Sequence, residues 1–144
     1  MVMLARMRNH RNVFADQSGA AAVEFAIVGP MLVVLLIGIL TYGGYFWISH
    51  TLQQLANDAA RVAIGGLTQT ERQQLASQAM NSELTDYPFI KAQDLQATVT
   101  GDDQMLSVAV AYDATKAPFW VFKGLVPLPS STITRSATVR LGGY

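Results

Sequence analysis

The sequence has no cysteine. Disulfides, thiolate zinc sites and thiol chemistry are therefore excluded, although an exported protein can do without them and the compartment stays open. Histidine is almost as scarce. His10 lies near the N-terminus and His50 just after a long apolar run, which leaves almost no material for a mechanism built on imidazole. Charged residues make up only 14% of the 144, and ten basic residues cancel ten acidic ones, so no global field points to nucleic acid or to an acidic partner. No glycine-rich loop precedes a lysine in the phosphate-cradling arrangement. Asp102 and Asp103 lack the rest of a calcium loop and read as turn residues. These absences predict a noncatalytic chain with no cofactor, no metal and no small-molecule substrate.

What the chain does have is apolar surface, at 51% of residues, which is high for a domain that faces only water. Three unlike segments follow one another. Residues 1–18 hold Arg6, Arg8 and Arg11 against a single acid, Asp16. Residues 25–48, FAIVGPMLVVLLIGILTYGGYFWI, carry no formal charge. A helix of that length reaches roughly 36 Å, enough to cross a ~30 Å hydrocarbon core with some tilt. From about Gly65 the chain is mixed in polarity and reads as a small folded head. Arginines before the span outnumber those just after it, so the N-terminus is expected in the cytoplasm and the head outside a single-pass inner membrane. Tyr42, Tyr45, Phe46 and Trp47 crowd the far end of the span, where their rings either settle at headgroup level or pack against the head. A secretory signal would place its small-residue cleavage site after a shorter apolar core. Here Gly19, Ala20, Ala21 and Ala22 precede the run, and a cut among them would leave the anchor on the mature chain.

One carboxylate, Glu24, stands at the mouth of the span with no basic residue in its own helix to pair with. An acid at the bilayer centre costs about 2.5–3.5 kcal/mol and less near an interface, so Glu24 is tolerable at the cytoplasmic edge. A chain starting at Ala20 would also carry a new amine, normally protonated near neutral pH. The carboxylate of one chain could meet the amine of a staggered neighbour and set register, since an orphan charge in a packed core is strongly unfavourable. A snorkelling interfacial glutamate without a partner is the plainer reading. Ala22 and Ala26 form a small-xxx-small pair suited to close helix packing. Gly29 and Pro30 predict a kink or local melting, which either lets the helix bend or reflects the ordinary composition of membrane helices.

Beyond the span, Leu52, Leu55, Ala59, Val62 and Ala63 recur at helical spacing opposite Gln53, Gln54, Asn57 and Asp58, and Gly65 and Gly66 end the pattern. A second helix is predicted from Thr68, with Glu71 completing a capping box, to about Leu84, with Leu75, Ala79 and Met80 inward. Period-two alternation predicts strands at Leu95–Val99, Leu106–Tyr112 and Ile133–Leu141. The first two are joined through TGDDQ, and the third is blemished by Arg135. The fold class is α+β: a long helix, a short one and a small antiparallel sheet of about three strands. In Ala117–Ser131, Phe119, Trp120 and Phe122 form either an exposed contact loop or a flap folded over a thin core.

The string GAAAVEF, with Glu24 fifth after Gly19 and a long apolar helix behind it, resembles a type IV prepilin signal. The longer stretch from Ser18 to Gly66, including LANDAARVAIGG, is similar to the TadE-like minor pilins of the Tad (tight adherence) pilus. That resemblance implies residues 1–19 as a leader removed by a prepilin peptidase between Gly19 and Ala20. Residues 20–48 would then be an assembly helix and 49–144 an extracytoplasmic head. It implies as partners the major and minor pilins, the inner-membrane assembly platform and membrane lipid, with no nucleic acid. Phe25 stands where major pilins usually carry tyrosine, which favours a minor pilin, and no C-terminal cysteine pair closes a loop. The competing expectation is an uncleaved single-pass protein whose head binds envelope partners.

Overall fold

The computed structural model describes residues 17–102 and 104–141. The arginines of the expected leader and Asp103 lie outside them. The described chain falls into two units that meet in sequence between Leu35 and Leu36. One helix, α1 (Gln17–Ala63), supplies all the described residues of the first unit and enters the second. In the first unit Val23, Ile27, Val28 and every large apolar residue from Met31 to Leu35 are exposed. The most apolar 18-residue window of α1 has a mean hydropathy of 2.6 and no buried residue, so by length and composition the helix can cross a membrane once. The local melting expected at Gly29–Pro30 is not found, because both residues are helical and α1 runs on past them. Proline at residue 30 removes a single amide, and the turns on either side keep their own bonds.

The second unit is the α+β head. Its sheet has the order β1 (Leu95–Gly101), β2 (Met105–Asp113), β3 (Thr132–Arg140), antiparallel throughout, so all three strands predicted from alternation are present. Central β2 turns Leu106, Val108, Val110 and Tyr112 inward, and all four are fully buried. Across the ladder Val108 faces Val99 on one side and Ala137 on the other. These residues join Ile48, Leu52, Leu55, Ala56, Ala59, Ala60 and Ala63 of α1 in one core. Ala56 and Ala60 are buried, whereas Val62, expected inward, is 45% exposed. The buried face of α1 is thus rotated toward its alanines, whose small side chains allow close approach.

The second helix, α2 (Gln69–Glu83), starts with the expected capping box. Thr68 Oγ1 accepts from the Glu71 amide, and Glu71 Oε2 accepts from the amides of Thr68 and Leu67. Its buried residues are Ala76 and Met80, while Leu75 and Ala79 are only half-buried. α2 also closes the open edge of β1. Gln73 donates to Ala97 O at 3.0 Å and accepts from Val99 N at 3.0 Å, and Gln69 donates to Val99 O at 2.6 Å. Two glutamines therefore stand in for a neighbouring strand and block edge-to-edge pairing there.

The β1–β2 hairpin turns on Asp102, whose Oδ1 accepts from the amides of Gln104 at 2.8 Å and Met105 at 2.7 Å. Those two amides hold its carboxyl below the usual aspartate range. A folded-state value below the unfolded one gives stability that is present above the ordinary aspartate pKa and lost as the pH falls through the lowered value. Asp102→Ala should lower the melting temperature at neutral pH, and the gap from the parent should close in acid. Thermal melts across pH test this, and a pH-independent gap would contradict it.

Arg135, a blemish by pattern, points inward and half-buried, and its guanidinium donates to the buried Ser49 hydroxyl on α1. Gln53 adds a 3.0 Å bond from α1 to Ser136 O. Thr41 is fully buried, yet among the described residues its hydroxyl has no hydrogen-bond partner. An unsatisfied buried hydroxyl costs about 1–3 kcal/mol. Thr41→Val keeps the shape and removes that cost, so detergent-solubilised protein should melt higher. A lower melting temperature would mean that the hydroxyl is bonded.

Candidate assembly helix

The residues singled out for processing and assembly all lie in the first turns of α1. The Gly19–Ala20 peptide bond falls in the first helical turn, where amides lack intrahelical partners and opening costs least. Gly19, Ala20, Ala22, Glu24 and Ala26 are exposed, and a Cβ built on Gly19 would meet nothing within 4 Å. Ala22 and Ala26 share a face, as do Ala20 and Glu24, each pair being one turn apart. Phe25 is 77% exposed, and its ring lies over Gly29, where an added Cβ would sit 3.6 Å from the ring. A glycine one turn on thus gives the ring a flat bed without covering it. Residues 19–35 make a one-helix surface of apolar and small side chains carrying a single carboxylate, and no residue of this stretch is classed as buried. Such a surface suits lipid or like helices.

The residues of the expected contact loop fall differently. Pro118–Phe122 is a short 3₁₀ turn rather than an irregular loop. Phe119 is 7% exposed and Trp120 packs against the core, so neither is free to make the outward contact; Phe122 is half-buried. Gly44 is the reason. A Cβ there would come within 2.8 Å of Phe119 Cδ1, so the glycine leaves a socket on α1 into which the ring turns, edge-on to Tyr45. The outward residue of this turn is Val121, at 77% exposed. Among the span-end aromatics, Tyr42 donates its hydroxyl to Pro127 O at 2.7 Å, and Trp47 lies edge-on to Tyr87 and Phe89. Tyr45 joins the core and Phe46 stays exposed.

A polar cavity of about 370 Å³ in the head is bordered by Asp94, Tyr112, Asp113 and Lys116. One of its carboxylates is already engaged. Asp113 caps the next turn through the Thr115 hydroxyl and amide, which hold its carboxyl low. Burial, reinforced by Asp94 and Asp113, pushes the Tyr112 phenol up, so it stays protonated. Among the described residues no group of three histidine, aspartate or glutamate side chains is placed to hold a metal.

A family model described as TadE-like protein matches residues 19–61, starting at the glycine of the motif and ending two residues before α1 does. The chain carries a TadE-like domain over those residues. Comparisons with curated proteins and with solved structures each gave no significant match. The TadE-like domain coincides with α1, whereas α2 and the sheet lie outside the match.

Proposed function

We propose that the chain is a minor pilin of an adhesive Tad-type pilus, cut by a prepilin peptidase after Gly19 and acting in assembly or at the tip. The cut leaves α1 as both membrane anchor and filament helix, with the N-terminus on the cytoplasmic side and the head outside. On leaving lipid for a filament, Glu24 accepts the ammonium of Ala20 from a neighbouring subunit, while Ala22 and Ala26 let helices approach closely. The chain has no catalytic role in this reading. Its partners are the peptidase, the other pilins, the assembly platform and lipid.

The observation that carries this reading is a TadE-like match that opens on Gly19, with Glu24 five residues on, in the exposed first part of a long apolar helix. Intact mass and N-terminal sequencing of the membrane-extracted protein test it. A chain starting at Ala20 is expected; a chain still starting at Met1 in cells that make the fibre would leave an uncleaved single-pass protein instead.

A further inference from the structure

Most of the head's exposed large apolar residues gather where α1 enters it. Within the head unit, Leu36, Ile39, Leu40, Phe46 and Trp47 on the helix are all exposed. Two loops meet this stretch of α1. The first carries Phe89, 63% exposed, with its ring 6.4 Å from that of Trp47. The second is the Pro118–Phe122 turn and its continuation. Phe119 seats on Gly44 and Pro127 is tied to Tyr42, while Val121 and Leu125 remain exposed. An apolar cavity of about 260 Å³ joins the two loops, bordered by Leu40, Gly44, Trp47, Phe89, Pro118 and Phe119. Both loops therefore touch α1 between Leu40 and Trp47, about 10 Å of helix.

We propose that these two loops are a second membrane contact: Phe89 of the first, and Val121 with Leu125 of the second, enter the interfacial layer of the phospholipid bilayer that α1 crosses. Two observations favour lipid over another protein. The apolar surface continues along α1 within the head unit through exposed Leu36, Ile39 and Leu40, which belong to the charge-free run from Phe25 to Ile48, so a bilayer around that part of the helix comes up against the loops. Each apolar tip is also followed two residues later by an exposed lysine, Lys91 after Phe89 and Lys123 after Val121. An apolar tip with a cation just behind it matches acyl chains capped by phosphate headgroups. The head would then be held against the membrane through two loops as well as through its helix. This inference rests on membrane anchoring by α1 and is independent of cleavage and filament formation.

The absence of cysteine makes the test direct. Full-length Val121→Cys, Leu125→Cys, Leu32→Cys and Thr138→Cys proteins carry a nitroxide label and are reconstituted in phosphatidylethanolamine–phosphatidylglycerol vesicles. Accessibility to oxygen and to a water-soluble nickel complex reads the depth of each label. The labels at 121 and 125 should favour oxygen, at about 5–10 Å below the phosphates, Leu32 should lie deeper, and the label at 138 should behave as in water. If 121 and 125 are open to the nickel complex while Leu32 is in lipid, the loop contact is wrong and the anchor stands. If they are shielded from both reagents, a protein surface covers them and the proposal fails. A Leu32 label in water would overturn the anchor and the loop contact together.

Discussion

Glu24→Ala should leave cleavage after Gly19 intact and nearly abolish incorporation of the chain into fibres. Glu24 is exposed on a helix segment that buries nothing, so the substitution removes no packing from the single chain. The cost should appear only in the assembly. An ammonium at Ala20 packed without its carboxylate is an orphan buried charge, a loss of about 3–5 kcal/mol. At about 1.4 kcal/mol per factor of ten, each such contact forms more weakly by at least a hundredfold. Immunoblots should find the processed variant in the membrane and little of it in sheared fibres. Normal incorporation would mean that the charge at that position has no part in assembly.

Leu52→Ala should destabilise the head by about 2–5 kcal/mol, whereas Val62→Ala should change it by no more than about 0.5 kcal/mol. Leu52 is fully buried in the core that α1 shares with the sheet, and truncating it leaves a cavity that a thin head closes poorly. Val62 is 45% exposed. A head whose total stability is of the usual 5–15 kcal/mol gives up a large share of it with the first change and almost none with the second. Denaturant melts of detergent-solubilised protein compare the two. Equal losses would mean that the face of α1 is assigned wrongly.

That pair of residues also shows what the sequence could and could not convey. Leu52 and Val62 both fit the helical stripe, and large apolar residues mark it most clearly. Burial follows Ala56 and Ala60 instead, whose small side chains carry little periodic signal, and the same shift in α2 makes Ala76 rather than Leu75 the buried residue. The strands were legible because inward Leu106, Val108, Val110 and Tyr112 alternate with less buried neighbours over a whole strand. Arg135 could not be read, because its reason is a Ser49 hydroxyl 86 residues away. Phe119 was ambiguous for a like cause: its burial depends on the missing side chain of Gly44.

The first part of α1 reverses that situation. Its geometry within one chain says little, since Gly19, Ala22, Glu24 and Ala26 have no covering partner there, and the spacing of glycine, carboxylate and apolar run carries the reading. The head contributes where tertiary contacts decide. It turns the aromatic segment inward, and it presents Val121, Leu125 and Phe89 near the end of the apolar run.

The most direct measurement is a zero-length carbodiimide coupling on isolated fibres, which joins a carboxylate to an amine only where the two already touch. Mass spectrometry of the digest should find the Glu24 side chain bonded to the N-terminal amine of another subunit. Fibres that contain the processed chain but yield Glu24 uncoupled, or joined only to Ala20 of its own chain, would contradict the account.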